Sequence, residues 1–359
     1  MSNWEREKVG IIPVKNLWLL MLYASDCRYL AEHLADSEAS HHDALELVGK
    51  VLCDLLESRM RRELSKSFIN RKDELNRVRG RVDVLQSERK MSLYRGKVFC
   101  HFEEVSADTA RNRYTLNALQ KLQKLTKNKN LLVRSRAISH QLKQLGISDI
   151  QVVGYSPSSE RFGRHEIEDR KIIQLAELIH SMMLISESMG SKLLPKPEKQ
   201  EQWVRKLFEK AVAGFYKLTL PKQGWKVSSN KQLRWQVEQE STLIPSLLPT
   251  MELDIQLDHH QLKQRIVIDT KFTNIVTKGR FDNTTFKSGY IYQLYAYIMS
   301  QKKEQDLLSL ASSGMLLHPS VGEHYDEVVT IQGHQLRFCT VDLMAKPSEI
   351  TKRLENLIL

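Results

Sequence analysis

Several things are scarce in this chain of 359 residues, and each scarcity removes a class of function. It holds four cysteines, Cys27, Cys53, Cys100 and Cys339, and no two of them form a C-x-x-C pair. That spacing supports neither a zinc knuckle nor a disulfide framework, and it suits a reducing compartment. The histidine pairs His41-His42 and His259-His260 are adjacent, not four apart as on a metal-binding helix face. A G-x-x-x-x-G-K-[ST] phosphate loop is also missing. Gly49-Lys50 runs into Val51 and Gly96-Lys97 into Val98, so neither supplies the hydroxyl that holds Mg²⁺ at a nucleotide. The apolar run Leu17–Ala24 is too short to span a bilayer. Acids precede it at Glu5 and Glu7, Pro13 sits just upstream, and no small-residue cleavage site follows. It reads as a buried helix, and the expectation is a cytoplasmic protein with no membrane segment. No repeat and no low-complexity tract occurs.

What the chain has in excess is positive charge. The net charge is +11, with 54 Lys+Arg against 43 Asp+Glu. The excess is uneven: 29 against 20 through residue 164, a net of +9, and 25 against 23 beyond it, a net of +2. A basic balance suits an anionic partner, of which nucleic acid is the commonest. A solvated basic surface gives the same count with no partner. Arg59–Arg62, Arg77, Arg79 and Arg81 can face DNA or an acidic protein surface, and the residues do not decide between them.

Periodicity and punctuation place the elements. Val9–Val14 reads as a short strand with Asn16 capping the next helix. Asp43 and Glu46 make a capping box for a helix running toward Lys66. A turn falls near Gly80, "KVFCHFEEVS" reads as a strand, and Ser106–Thr126 as a helix with Leu116, Leu119, Leu122 and Leu125 on one stripe. "GYSPSSERFGR" is rich in turn residues and is expected to end a first domain, 1–164, leaving 165–359 as a second. Ile167–Met189 and Gln202–Leu218 read as helices, with the prolines Pro195 and Pro197 between them. Strands follow at Lys231–Glu238, Met251–Leu257 and Arg265–Lys271, then a helix around Ile291–Ser300, then two strands in "GMLLHPS" and "QLRFCTVDL". Helix, strands, helix, strands is the order of a mixed α/β unit.

Acid-x-lysine occurs at Glu88/Lys90, Asp169/Lys171 and Asp269/Lys271, and the tripeptide alone says little. Only the third ends an apolar β-branched run, "RIVIDTK". Residues two apart in a strand share a face, so Asp269 and Lys271 project together. In "MELDIQL", Leu253, Ile255 and Leu257 take one face while Glu252, Asp254 and Gln256 take the other. The short turn "DHHQLKQ" joins the two strands as a hairpin, which can bring Asp254 close to Asp269. Two carboxylates that close repel unless a cation lies between them. A hard oxygen site of this kind suits Mg²⁺, which keeps waters and accepts phosphate oxygens. A salt-bridged hairpin end would give the same three residues with no chemistry, and the pattern alone leaves both readings open.

Asp254 followed by Asp269-x-Lys271 resembles the PD-(D/E)xK nuclease signature. Gln293 and Tyr297, four apart in the following helix, resemble the Q-x-x-x-Y element of its RecB-like branch. Glu209 sits on the helix where such nucleases often carry a further acid. "IIPVKNLWLLMLYASD", "RGRVDVLQS", "DTARNRYTLNAL", "PTMELDIQLD", "IVIDTKF" and "SGYIYQLYAYI" together resemble the McrC family, the nuclease subunits of McrBC modification-dependent restriction systems. The resemblance covers most of the chain in the same order.

That resemblance implies an N-terminal α+β domain that docks on a hexameric McrB-like AAA+ GTPase and stimulates it. It implies a C-terminal PD-(D/E)xK domain, a mixed sheet flanked by helices, that hydrolyses DNA phosphodiesters in defence against phage. Asp254, Asp269, the Thr270 carbonyl and Glu209 would hold Mg²⁺, with Mn²⁺ as a substitute. Lys271 would be the cationic helper, and Gln293 and Tyr297 would support the site. The partner would bind GTP and recognise double-stranded, methylated DNA. The alternative is a non-catalytic DNA-binding or AAA+-activating subunit with an inert nuclease fold.

Overall fold

A computed structural model describes residues 12–31, 44–150, 154–190, 197–237, 239–278, 283–320 and 323–358. In chain order the helices are α1 (Val14–Ala24), α2 (Ala44–Arg62), α3 (Val84–Arg89), α4 (Ala110–Leu125), α5 (Lys129–Gln144), α6 (Ile167–Gly190), α7 (Pro197–Thr219), α8 (Ser288–Met299) and α9 (Pro347–Asn356), besides single turns. The strands are β1 (Ser67–Leu75), β2 (Arg81–Val82), β3 (Val98–Ser106), β4 (Lys226–Leu233), β5 (Met251–His259), β6 (Gln264–Thr270), β7 (Val276–Lys278), β8 (Thr284–Phe286), β9 (Ser313–Pro319), β10 (Asp326–Ile331) and β11 (His334–Val341).

The chain divides into two compact units, and not where the turn-rich stretch near residue 164 suggests. One unit is residues 45–184, and the other joins 1–44 to 185–359. The expected split into 1–164 and 165–359 therefore moves at both ends. The physical reason is α1. Its side chains Leu19, Leu20 and Tyr23 pack with Phe208, Ala211 and Phe215 of α7 and Leu354 of α9, and all are buried. Asn16, expected as a cap, lies inside α1 and is buried. Its amide donates to the carbonyls of Leu343 at 2.7 Å and Ala345 at 2.9 Å. The proposed strand Val9–Val14 lies outside the described residues as far as residue 11, and Val14 begins a helix. Asp43 of the proposed capping box also lies outside them, while Glu46 accepts from the Asn128 amide.

Residues 45–184 form an α+β unit. The three-stranded antiparallel sheet has the order β1-β3-β2. Beside it α4 buries the stripe Leu116, Leu119 and Leu122, and its neighbour α5 buries Leu131, Ile138 and Leu142. The turn near Gly80 is real: its φ is +66°, and a Cβ there would lie 2.4 Å from the His101 carbonyl oxygen. The stretch 154–166 does not end the unit. Glu160 and Glu166 both pair with Arg111 of α4, at 2.5 and 2.7 Å. Asp169 is buried and accepts from Arg59 at 2.7 Å, so the acid of the second acid-x-lysine serves a structural ion pair. Arg62 is engaged by Glu168 at 3.1 Å. Two basic residues offered for DNA or partner are thereby tied to acids of the same unit.

The other unit holds a six-stranded mixed sheet, β10-β11-β9-β6-β5-β4. β11, β9 and β6 run parallel; β10, β5 and β4 are antiparallel to their neighbours. Leu253, Val267, Leu294, Tyr297, Ile298, Leu316, Leu336 and Phe338 make one apolar cluster, with α8 seated on the sheet. Close approach is set by two glycines. A Cβ on Gly314 of β9 would press on Leu294 and Ile298 of α8 at 2.8–2.9 Å. On Gly214 of α7 it would lie 1.9 Å from the Tyr23 carbonyl oxygen of α1. The first of these can be relieved by side-chain rotation, the second only by moving backbone. Gly214→Ala is therefore expected to destabilise the protein by about 1–3 kcal/mol or more, read as a drop of several degrees in Tm by thermal unfolding. An unchanged Tm would mean that α1 does not sit on α7 this closely.

Candidate active site

β5 and β6 pair antiparallel, with Ile255 opposite Ile268. One step outward along this register lie Asp254 and Asp269. Leu253, Ile255 and Leu257 are fully buried, as alternation requires, but the expected polar face of β5 is buried too: Gln256 is 2% and Asp258 8% exposed. Asp258 is satisfied by Arg265 at 2.7 Å and by the Gln256 amide at 2.8 Å. The sheet therefore runs a paired polar row beneath its surface and opens only at its outer end, where the two aspartates stand.

That end is a cleft of ≈ 690 Å³. Asp254, Asp269, Lys271, Gln293, Tyr297 and Glu209 all line it, so the structure gathers every proposed side chain in one place. Thr270 lies just beneath. Its N–H and hydroxyl both donate to Asp254 Oδ2, at 2.7 and 2.8 Å, which fixes that carboxylate at the wall of the cleft. Lys271, also buried, donates to Asp269 Oδ1 at 2.9 Å. Its ammonium is 2.8 Å from Oδ2 as well, yet out of line, so this buried oxygen accepts no hydrogen bond. The Lys271 ammonium also lies 5.3 Å from the Tyr290 ring centre. From α8, Gln293 donates to the Tyr297 hydroxyl at 2.5 Å, one helical turn apart.

The electrostatics follow from burial. The Asp269 carboxyl is pushed up to about 6, chiefly by desolvation and against the pull of Lys271, with the Asp254 charge adding to the rise. Burial raises Glu209 as well, and Asp254 and Glu252 reinforce it. Tyr297 is raised by burial, opposed by the Gln293 hydrogen bond. Burial and mutual repulsion both disfavour the ionised forms of these crowded acids. Among the described residues no group of three or more His, Cys, Asp or Glu side chains is arranged to hold a metal ion. Side chains here supply two carboxylates, and Glu209 does not complete a third. This donor set fits Mg²⁺, which takes one or two carboxylates and fills its shell with carbonyl, water and phosphate oxygens.

Sequence reasoning missed part of the cleft. Arg205, Lys206 and Lys210 of α7 line it opposite the aspartates, and Arg205 lowers the Asp269 carboxyl. Their signal was available, since 206 and 210, like 205 and 209, are four apart on one helix. Asn230 and Trp235 also line it, and no periodicity marks them. Asn230 sits in mid-strand at φ +52°, in the left-handed region, and the β4–β5 ladder skips it.

A family model described as "McrBC 5-methylcytosine restriction system component" matches residues 5–311. The chain belongs to that family. Among curated proteins, this McrBC-family chain is 26% identical over 338 residues to the type IV methyl-directed restriction enzyme EcoKMcrBC of Escherichia coli strain K12, covering 93% of each. Among solved structures it is similar to a half-complex from the tetradecameric assembly of Thermococcus gammatolerans McrB AAA+ hexamers with bound McrC. There the identity is 13%, the TM-score 0.47, and the match covers 99% of this chain and 77% of that one. A cryo-EM structure of the Thermococcus gammatolerans McrBC complex matches at 15% identity and TM-score 0.33, over 51% and 60% of the two chains.

Behind Lys271 lies His318 of β9, fully buried. Its Nδ1–H donates to the Thr273 carbonyl at 2.8 Å, and its Nε2 has no hydrogen-bond partner. Burial pushes the ring down to about 4, and Lys271 and Lys287 oppose its protonation further. A base with a depressed folded pKa stabilises the fold above its unfolded value of about 6.5, and that contribution is lost as pH falls toward 4. The His318→Asn variant is therefore expected to lose about 2 kcal/mol less than the wild type between about pH 7 and pH 4.5, measured by urea unfolding. Equal losses would show that His318 takes up its proton without cost.

Proposed function

We propose that this chain is the DNA-cleaving subunit of a modification-dependent restriction complex, hydrolysing phosphodiester bonds with Mg²⁺, or Mn²⁺ in its place. The observation that carries the reading is the pairing of Asp254 and Asp269 at adjoining strand ends, with Lys271, Gln293 and Tyr297 in the same cleft. Asp254, Asp269 and the Thr270 carbonyl are the proposed ligands, with Glu209 at the rim. When bound, the ion would supply an activated water and neutralise charge developing on phosphorus. The chain's own residues do the rest. Thr270 orients Asp254, so one carboxylate is set before substrate arrives. Lys271, now clamped to Asp269, is a point charge within reach of a phosphate oxygen. Gln293 holds the Tyr297 hydroxyl on the helix side of the cleft. Arg205, Lys206 and Lys210 give α7 a cationic rim that a DNA backbone can follow.

The address and the energy come from elsewhere in this reading. No phosphate loop is present in the sequence, and the relatives include an assembly of McrB AAA+ hexamers with bound McrC. The partner is then an AAA+ GTPase that binds GTP and locates methylated double-stranded DNA. The expected N-terminal docking domain is redrawn as residues 45–184. That unit carries 27 Lys+Arg against 17 Asp+Glu, a net of +10, so nearly the whole charge excess of the chain sits there.

Reconstitution with the partner, GTP, Mg²⁺ and methylated DNA tests the reading. Asp254→Ala and Asp269→Ala are expected to abolish cleavage while remaining folded, and full cleavage by both would sink the metal-site assignment. Mg²⁺ should raise the Tm of the wild type and leave that of Asp269→Ala unmoved, a readout independent of activity. Lys271→Ala is expected to keep the Mg²⁺-induced rise in Tm but lose about a hundredfold or more in rate. Loss of the rise in this variant would give Lys271 a structural task instead. Specific cleavage by the chain with neither partner nor nucleotide would refute the division of labour.

A further inference from the structure

A second hollow adjoins the cleft. It measures ≈ 490 Å³, within the range of small-ligand sites. Trp235 lines both. The second is lined by four cations, Lys231, Arg234, Arg265 and Lys303, against a single acid, Asp306. Arg265 is spoken for, paired with Asp258 and Asp306. Lys231 is held differently. Its ammonium donates to two amide oxygens, Gln256 Oε1 at 2.9 Å and, at the limit, Gln301 Oε1 at 3.4 Å. Neutral acceptors fix the position of a cation without cancelling its charge. Burial and the nearby Arg265 push this ammonium down, against a smaller upward pull from Asp258 and Asp306, which are themselves paired with Arg265. Arg234 and Lys303 are exposed on the rim.

Trp235 has a feature that packing does not explain. Its indole N–H donates to the Pro249 carbonyl at 2.9 Å, so its one polar atom is satisfied, yet 41% of the residue faces solvent. What it presents is aromatic surface. The ridge that carries it is fixed, because the Gln236 amide donates to the carbonyls of Ser300 and Lys302 just beyond α8, at 2.8 and 2.9 Å. At the other end of the ridge, left-handed Asn230 kinks the strand opposite Asp254, and the next residue, Lys231, reaches Gln256 on the aspartate row. A held aromatic face between the cleft, where a phosphate would meet Lys271 and the α7 cations, and a hollow lined by four cations against one acid matches the repeat of a nucleic-acid strand, base then phosphate.

We propose that the second hollow binds the nucleotide next to the scissile phosphate on the same DNA strand, its base on Trp235 and its phosphate on Lys231, Arg234 and Lys303. The proposal rests on the nuclease reading for the identity of the scissile phosphate, and on its own geometry for the subsite. An unpaired strand is the ligand, since the base must leave its stack to lie on the indole.

Binding of a short fluorescein-labelled single-stranded DNA to the full chain in EDTA, followed by anisotropy, tests it. Trp235→Ala should weaken binding about tenfold. Trp235→Phe keeps a stacking face, so it should bind within about twofold of the wild type while losing the DNA-induced quench of tryptophan emission. Arg234→Gln with Lys303→Gln, both exposed and so safe for folding, should flatten the salt dependence by about 0.7 for each phosphate no longer neutralised. Binding by Trp235→Ala equal to that of the wild type, equal weakening in the Ala and Phe variants, or an unchanged salt slope in the double variant would each overturn the subsite. Mg²⁺-dependent cleavage by the same variants reconstituted with the AAA+ partner, GTP and methylated DNA separates the two claims. DNA that binds through Trp235 but is never cut leaves the subsite and removes the nuclease; DNA cut at the wild-type rate and bound as tightly by Trp235→Ala does the reverse.

Discussion

Two like charges held at adjoining strand ends are the constraint around which this site is built. Asp254 and Asp269 stand together because an antiparallel hairpin has no other register once Ile255 and Ile268 pair in the core. Nothing in a hydrophobic sheet favours that arrangement. Burial raises the Asp269 carboxyl, and the neighbouring carboxylate adds to the rise. The chain offsets the cost with Thr270, which gives Asp254 two hydrogen bonds, and with Lys271, which gives Asp269 an ion pair. Both offsets come from the two residues that follow Asp269, so a single strand end supplies an acid, its restraint on the partner acid, and a counter-charge. In the proposed reaction a bound cation would take over this counter-charge and leave Lys271 for a phosphate.

The polar row behind the aspartates makes that end rigid. Gln256, Asp258 and Arg265 are buried yet bonded to one another, and Lys231 joins them from β4. A fully satisfied buried network fixes one arrangement of the strands. The glycines at 214 and 314 act at a larger scale, letting α1 reach α7 and α8 reach β9. α7 carries Glu209 and the cationic rim, and α8 carries Gln293 and Tyr297, so these close contacts set the two walls of the cleft.

The site was more legible in the sequence than the fold. That Asp254, Asp269 and Lys271 would share one end of the sheet could be read because strand alternation is a local rule, while Gln293 and Tyr297 were singled out by the family resemblance and line the same cleft. Asn230 could not, since a left-handed residue inside a strand leaves no periodic trace. β1 and β10 were missed for a related reason. Every residue of β1 and of β10 is exposed or partly so, and a strand without a buried face has no apolar pattern to find. The unit boundary failed because α1 packs on a helix almost two hundred residues later, a contact that composition and turn signals do not encode. The burial of Gln256 and Asp258 was likewise invisible, because their partners Lys231 and Arg265 lie on other strands.

The most direct test of the account is the position of a metal. Crystals grown with Mn²⁺ and measured at its absorption edge should show one anomalous peak between the Asp254 and Asp269 carboxylates, beside the Thr270 carbonyl, with the Lys271 ammonium drawn off Asp269 Oδ2. A peak elsewhere, or none with Lys271 still clamped to Asp269, would make the paired aspartates a structural salt bridge and contradict the account.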